Sequence, residues 1–388
     1  MRRMICLIWV LMLLGCTACP AAAEEWGDFV VEEDEVTLPP DYHRQAQVLM
    51  RRMTDEEKIY QLFFVAPEDL TGEKRTDTWP ESNVLAAHPV GGVVLFGQNI
   101  VSEDQLRQFT SALQVQAKQA KMYPLLVAVH EQGGAVSRVA NKLGYPLLAS
   151  QQEIGQTGDA SMAYDTGLQI AAYLAALGIN TDFAPAADVI TVEDSQASGR
   201  SYGNDPEAVS RMAVQMSRGL RAGGVISCVG QFPGLGGAPK RNNSGVSSMR
   251  RTLADMRAAE WIPFRDAIAD GADMIMVSHV LVRAVGDDMP ASTSPRVVNG
   301  LLRGELGFEG VVITEALRMS AITGAYKPGQ ECVAALQAGA DLLLLPKDFQ
   351  AGVRAVRQAL STGEITMERI DESVERILAL KIRYGLIR

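Results

Sequence analysis

Residues 310–317 read Gly-Val-Val-Ile-Thr-Glu-Ala-Leu. The glycine opens a run of β-branched apolar residues, and the run ends at the polar pair Thr314 and Glu315. A run that is apolar at every position, rather than at alternate ones, is typical of a parallel strand buried on both faces. Seven further short runs, most of them rich in apolar and β-branched residues, lie at residues 62–65, 92–96, 125–129, 180–184, 225–229, 274–278 and 342–345. The sequence therefore predicts eight buried strands.

Helical stretches separate most of these strands. Apolar residues recur at spacings of three and four over residues 104–118, 160–177, 206–222 and 252–270, which predicts amphipathic helices. Eight strand and helix units within residues 41–388 favour an α/β fold, a single-domain (β/α)₈ barrel of the TIM type. An open Rossmann sheet is the alternative. It would require a glycine-rich phosphate turn after the first strand, which the sequence lacks.

The composition narrows the classes of function. The 388 residues are 47% hydrophobic and 21% charged, which excludes a disordered chain and a polytopic membrane protein. The formal net charge of −10 gives no general attraction to phosphate backbones, so we expect no nucleic-acid partner. Nothing in the sequence indicates a cofactor.

The N-terminus predicts export. Arg2 and Arg3 precede an apolar run over residues 5–14, which suits a signal peptide and is too short to cross a bilayer. The run ends in Leu-Leu-Gly-Cys at 13–16 and resembles a bacterial lipobox, in which cleavage precedes a lipid-bearing Cys16. Cleavage after the alanines at 21–23 is the alternative. We expect residues 1–23 to be the signal peptide, residues 24–40, with seven acids, to be a solvated tether, and the protein to be a membrane-anchored lipoprotein of the bacterial envelope.

Polar residues follow several of the predicted strands. In a (β/α)₈ barrel the chemistry lies at the carboxyl ends of the strands, so these residues are the candidates for a site. They are His130 and Glu131 after the third strand, Asp188 after the fourth, Gln231 after the fifth, His279 after the sixth and Glu315 after the seventh.

Ordered motifs over residues 51–326 resemble the family 3 glycoside hydrolases, in particular the single-domain bacterial β-N-acetylhexosaminidases that trim peptidoglycan sugars. The resemblance implies a barrel fold and an amino-sugar glycan as the carbohydrate partner. Three of the motifs lie at strand ends or in sugar-contacting loops: Leu-Gly-Ile-Asn at 177–180, Arg-Ser-Tyr-Gly at 200–203 and Phe-Pro-Gly at 232–234. By this resemblance we expect the substrate to be contacted by Arg200, His279, Asp188 and Gln231.

The sugar-binding positions depart from the family pattern. The family has an aspartate that holds sugar hydroxyls at the position of His130. It has a lysine and a histidine where this chain has Gly230 and Gln231, and a further histidine at Leu235. These replacements remove polar contacts to the sugar.

The catalytic positions also depart from the pattern. Where the hexosaminidases carry an Asp-Ser-His that supplies the general acid/base, residues 241–244 read Arg-Asn-Asn-Ser. The nucleophilic aspartate is replaced by Glu315. A retaining glycosidase needs both an attacking carboxylate and a proton donor, so one of the two groups is altered and the other is missing.

Two hypotheses follow. In the first, the protein is a glycosidase of altered mechanism, with Glu315 as nucleophile and with His130 or Glu131 as the proton donor. In the second, it is a catalytically silent envelope protein that binds a glycan or a protein. Each side chain also has a structural alternative: Glu315 pairs with Arg200, His130 fills space, Arg200 pairs with Asp205 or Asp188, and His279 is a hydrogen-bonded core residue. A zinc site of His130, Glu131 and His279 lacks a typical ligand spacing, so we expect no metal.

Overall fold

The computed structural model describes residues 41–240 and 246–387. The predicted signal peptide, Cys16 and the acidic tether lie outside the described residues, as does the segment 241–244. Within the two described ranges, none of the helices combines the length and the hydropathy that crossing a bilayer requires.

Eight parallel strands form the centre of the molecule. They are β1 Phe63–Val65, β2 Gly92–Val94, β3 Leu126–Val129, β4 Thr181–Asp182, β5 Ile226–Phe232, β6 Met274–Val277, β7 Val311–Thr314 and β8 Leu343–Leu344. Each strand from β1 to β7 pairs with the next along the chain, and β8 pairs with β1 through Phe63 and Leu343. A bridge between Ile313 and Leu342 joins β7 to β8 and closes the ring. The predicted (β/α)₈ barrel is confirmed, and the open Rossmann sheet is excluded.

The strands form where the apolar runs were found, because a parallel strand inside a ring of helices has no face toward water. All four residues of β7 are buried, and they align in register with the four residues of β6. The polar residue Glu315 comes directly after this register ends. The strand core therefore fixes the height at which the Glu315 side chain leaves the barrel.

Helices surround the barrel. The α-helices are Tyr42–Met50, Asp55–Gln61, Pro67–Thr71, Val84–Ala87, Glu103–Gln119, Arg138–Leu143, Gln151–Thr157, Ala160–Ala176, Pro206–Ala222, Leu253–Ala258, Ile262–Ala269, Ser320–Thr323, Gln330–Ala338, Phe349–Thr362 and Met367–Arg383. The helix predicted over residues 252–270 is interrupted at Ala259, whose φ of −139° and ψ of −79° are not helical. A new helix begins at Ile262, with Pro263 in its first turn, because proline is tolerated there but not in a helix interior.

Two further short strand pairs form sheets that are separate from the barrel. Glu131–Gly133 pairs in antiparallel fashion with Val136–Ser137 directly after β3, and Ser248–Met249 pairs with Leu281–Val282. A π-helix spans Arg296–Glu305, and 3₁₀ turns span Gly97–Asn99, Leu235–Gly237, Arg283–Val285 and Ala291–Thr293. The hairpin after β3 matters most for function, because it carries the predicted site residue Glu131 away from a simple strand end.

The last helix covers the N-terminal end of the barrel. Its Lys381 is fully buried and donates to Gln61 Oε1 over 2.8 Å, just before β1. Arg383 lies 2.8 Å from the carboxylate of Asp273, which precedes β6. The opposite end, where β5, β6 and β7 finish, is the end at which the predicted site residues lie.

Candidate active site

Glu315 lies where three neighbouring strands end. Its N–H donates to the carbonyl of Val277 on β6 over 2.8 Å, which extends the ladder by one residue. Its half-buried carboxylate accepts from Gln231 Nε2 at 3.4 Å and from the backbone N–H of His279 at 3.2 Å. In the part of the chain that the structure covers, no arginine or lysine forms a salt bridge with it. The alternative pairing with Arg200 is therefore not observed.

The ring of His279 is fully engaged inside the protein. Nε2 lies 3.0 Å from the carbonyl oxygen of Ala316, and Nδ1 lies 2.7 Å from Ser292 Oγ. Because a carbonyl only accepts, we assign the ring proton to Nε2 and let the serine hydroxyl donate to Nδ1. Burial lowers the pKa of His279, and the ring is neutral. His279 is thus a hydrogen-bonded core histidine that touches Glu315 through its backbone, and its role as a sugar contact stays a prediction.

Asp188 is also turned inward. It is 1% exposed, and its Oδ1 accepts the N–H of Leu235 at 2.6 Å. Burial raises the pKa of Asp188 to about 6. The bond ties the end of β4 to the loop after β5, so Asp188 positions that loop through Oδ1. The role of Asp188 as a substrate contact stays a prediction.

Arg200 and His130 face one another across a small cavity. Arg200 Nη2 donates to Gln132 Oε1 at 3.3 Å, and the buried Nε of Arg200 has no acceptor among the residues that the structure describes. The salt bridges considered for Arg200, to Asp205 or to Asp188, are absent from the same residues. Arg200 therefore keeps free donor capacity on its planar fork.

The imidazole of His130 is neutral. It is half-buried and meets the ring of Phe183 edge-on, with centroids 4.9 Å apart. Burial, together with the positive charges of Arg200 and Arg138, lowers the pKa of His130 to about 3. An imidazole with that pKa is not converted to imidazolium at neutral pH, so it is poorly matched to general acid catalysis.

The cavity between these side chains is small. It is bordered by His130, Gln132, Arg200 and Gln231, and its water-accessible volume is about 10 Å³. That is room for about one water molecule. These side chains therefore pack against one another instead of surrounding a space of sugar size.

This arrangement of strand ends can be compared with known proteins. A family profile described as "Glycosyl hydrolase family 3 N terminal domain" matches residues 54–380. The chain belongs to glycosyl hydrolase family 3. A "Beta-hexosaminidase" of Chromobacterium violaceum is 35% identical over 280 residues, covering 70% of this chain and 76% of the relative. "Beta-hexosaminidase A" of Pseudoalteromonas piscicida is 29% identical over 329 residues, covering 78% of this chain and 55% of the relative.

A solved structure shows the same fold. It is described as a glycoside hydrolase family 3 β-N-acetylglucosaminidase from Paenibacillus sp. str. FPU-7, and the match has a TM-score of 0.81 at 34% identity. The match covers 86% of this chain and 63% of that one. This family 3 chain therefore spans a little over half the length of the Pseudoalteromonas relative and under two thirds of the Paenibacillus protein.

Glu131 of this family 3 chain has a structural role. Its carboxylate is fully buried, accepts the N–H groups of Val139 and Ala140 at 2.8 and 3.1 Å, and accepts the hydroxyl of Tyr173 at 2.9 Å. These contacts cap the helix Arg138–Leu143 on the side of the hairpin away from the cavity. Glu131 therefore lies at a helix end and not at the mouth expected from the sequence, and its role as a proton donor stays an untested prediction. In the residues that the structure places, no cluster of three potential metal ligands occurs, and Glu131 does not join the two histidines.

The residue after Glu131 is the one that faces the cavity. Gln132 is 4% exposed, donates to the carbonyl of Phe183 over 2.8 Å and accepts from Arg200. Gln132 is not among the site residues expected from the sequence. The alternation of faces along an extended segment would have assigned Glu131 and Gln132 to opposite sides, although it would not have told which side belongs to which.

Proposed function

We propose that this chain is an exported family 3 protein of the β-N-acetylhexosaminidase type that binds N-acetylhexosamine glycans of the cell envelope without hydrolysing them. One observation carries the proposal. The site keeps a carboxylate at Glu315 and a guanidinium with spare donors at Arg200, whereas within the described residues neither His130 nor His279 is an imidazolium that could protonate the leaving oxygen.

The missing acid is the decisive step. Protonation of the leaving oxygen is required in both retaining and inverting mechanisms. His130 is unprotonated at neutral pH, the Glu131 carboxylate is bonded to a helix end, and both ring nitrogens of His279 are occupied. The segment 241–244 contains neither an acidic residue nor a histidine, so its sequence offers no replacement.

The magnitudes favour loss of turnover. Losing a general acid costs roughly 10² to 10⁴ in rate. A glutamate in place of an aspartate moves the attacking oxygens by roughly one carbon–carbon bond, and a displacement on the order of 1 Å costs about 10². If the two effects are independent, the rate falls by about 10⁴ to 10⁶, which corresponds to roughly 5 to 8 kcal/mol of barrier.

Binding a glycan requires hydrogen-bonding groups but no proton donor for the leaving oxygen. A guanidinium can hold two hydroxyl oxygens or an N-acetyl carbonyl with its forked donors, and the Arg200 Nε lacks a protein acceptor within the described ranges. Glu315 adds an acceptor for sugar hydroxyls. A glycan that displaces the weak Arg200–Gln132 bond of 3.3 Å would open the narrow cavity and satisfy these groups.

The place of action is proposed from the N-terminus. The basic and apolar pattern of residues 1–23, the lipobox-like segment that ends at Cys16 and the seven acids of residues 24–40 support export, a lipid anchor and a solvated tether. A body held at the envelope by an acyl anchor would meet peptidoglycan sugars outside the cytoplasm.

A second candidate is hydrolysis with Glu315 as the nucleophile. It is favoured by the two donors that orient the Glu315 carboxylate at the end of β7, because an attacking group must be held in a fixed direction. It would require a proton donor supplied by the substrate or by water.

One experiment separates the two. The purified protein is incubated with a chromogenic aryl N-acetylglucosaminide and titrated with a muropeptide in a calorimeter. Glu315→Gln tests the site, and Glu309→Gln, an exposed carboxylate before β7, is the matched control. We expect muropeptide binding that Glu315→Gln weakens, with no turnover. Turnover that Glu315→Gln abolishes and Glu309→Gln preserves would establish the hydrolase instead, and absence of both signals would overturn both.

A further inference from the structure

A second cavity lies at the N-terminal end of the barrel, where β3, β4 and β5 begin. We call it the basal cavity; its apolar walls are Met122, Pro124, Ile179 and Leu386, and its volume is about 680 Å³. Cavities that bind small ligands measure roughly 300 to 1,000 Å³ and are mostly apolar with a few polar groups. The basal cavity has this size and this character.

Two lysines supply its charge. Lys118 and Lys121 line the cavity, and both are exposed. Across the described ranges, neither lysine forms a salt bridge with a carboxylate. The basal cavity thus combines apolar walls with two positive charges that the protein leaves uncompensated.

The backbone of Lys121 is strained. Its φ is +58°, in the left-handed region that disfavours residues with a Cβ. It follows the helix Glu103–Gln119 in a turn in which the N–H of Met122 bonds to the carbonyl of Ala117 over 2.9 Å, a helix ending that usually carries glycine. In the described ranges, five other α-helices have a left-handed glycine as the C-cap residue, namely Gly72, Gly144, Gly158, Gly339 and Gly363.

This strain distinguishes the two lysines. Lys118 lies in the last turn of its helix, where a cation is favoured by the helix dipole, so its presence has a structural reason. The turn gives no structural reason for a lysine at position 121, because glycine would adopt the same left-handed backbone with less strain. Strained positions that persist in a structure often serve function, and here the strain places a positive charge beside the basal cavity.

The neutral polar groups of the basal cavity are already used. The amide of Gln114 bonds to both backbone groups of Leu125, at 2.9 and 3.0 Å. The amide of Asn180 bonds to Val127 N at 2.8 Å and to Leu125 O at 3.0 Å. Because these amides have their partners, a ligand here would be recognised by charge and by apolar contact, and not as a polyhydroxylated sugar.

We propose that the basal cavity binds a single-chain amphiphile with an anionic head group. Its alkyl chain would lie on the apolar walls, and its carboxylate or phosphate would lie between Lys118 and Lys121. The proposal does not depend on the glycan site, since the two lie at opposite ends of the barrel.

Calorimetric titration with sodium laurate and with dodecyl phosphate, both below their micellar concentrations, tests the proposal. Dodecyl maltoside is the uncharged control. We expect one-to-one binding of at least one anion, and the preferred anion tells whether a free fatty acid or a phospholipid-type head group is the source.

Lys121→Gly should weaken binding about tenfold by removing a charge-assisted contact, while raising Tm by relieving the strain. Ala175→Phe should fill the cavity and block binding, and Lys142→Gln, an exposed lysine at the other end, should change nothing.

Three results would overturn the proposal. The first is failure of both anions to bind. The second is equal affinity for dodecyl maltoside, which would show that the lysines take no part. The third is unchanged affinity in both Lys121→Gly and Ala175→Phe, each of which reports its own folding through Tm.

Discussion

The protonation state of His130 decides whether the site has an acid, and it can be measured directly. Burial and two neighbouring arginines lower the pKa of His130 to about 3. An unfolded histidine titrates near 6.5. The folded protein therefore resists taking up a proton that the unfolded chain accepts, and His130 should reduce stability as the pH falls from about 6.5 toward 3.

The size of the effect follows from the difference in pKa. Each unit is equivalent to about 1.4 kcal/mol, so complete titration would cost up to about 5 kcal/mol. At pH 4 the cost would reach about 3.4 kcal/mol for a fully desolvated ring. Because the His130 ring is only half-buried, solvent screens part of this cost. We therefore expect His130 to lower the free energy of unfolding by about 2 kcal/mol at pH 4.

Two measurements check the prediction. Long-range ¹H–¹⁵N spectra follow the side chains of the four histidines between pH 4 and 8, and His130→Gln identifies the signal that disappears. Urea unfolding of the unsubstituted protein and of His130→Gln at pH 4, 5, 6 and 7 gives the difference in their free energies of unfolding. The variant should become the more stable of the two, relative to pH 7, as the pH falls. His279 contributes equally to both proteins and cancels. A His130 signal that titrates between pH 6 and 7 would refute the reasoning and restore a proton donor to the site.

Two further predictions concern buried charges. Glu131→Gln should lower the free energy of unfolding by about 2 kcal/mol, because the carboxylate receives two backbone N–H groups and the Tyr173 hydroxyl; urea unfolding measures this, and an effect no larger than that of Glu309→Gln would contradict the capping role. Burial lowers the pKa of Lys381 to about 7. The buried lysine therefore destabilises the folded protein by up to about 5 kcal/mol at pH 7 and below. Lys381→Met should therefore stabilise the protein by about 2 kcal/mol at pH 7, after about 1 to 3 kcal/mol is lost at the unpaired Gln61 amide. The gain should vanish near pH 10, where holding the folded-state lysine neutral costs no more than about 1 kcal/mol, and an equal gain at both pH values would disprove it.

The barrel could be predicted because its strands are defined by composition. The run 311–314 was predicted and observed with the same bounds, since Val311, Val312 and Ile313 are apolar in a row and leave no polar face. The strand predicted over 180–184 shortens to Thr181–Asp182, because the chain bends toward Pro185, which has no N–H for the ladder. The helix predicted over 252–270 breaks near Ala259, where the tertiary path of the chain overrides a continuous apolar period.

The site was harder to predict, because a strand end does not specify the direction of a side chain. Glu131 and Gln132 are neighbours, but one caps a helix and the other contacts Arg200. His279 was placed correctly near Glu315, whereas the engagement of its ring with Ser292 depends on a residue thirteen positions further along the chain. Such bonds follow from tertiary packing, which a local motif does not contain.

The pattern of retained and replaced positions has a physical explanation. Asp188 and His279, which match the family, carry buried hydrogen bonds that hold the loops after β5 and β7. Removing either would leave a buried partner unsatisfied, at a cost of about 1 to 3 kcal/mol. His130 and Gln231 stand where the family has sugar ligands, and neither holds the fold by a strong bond: His130 contacts Phe183 through its ring, and Gln231 makes a bond of 3.4 Å. Such positions can change without loss of the barrel, which is what the proposed loss of turnover requires.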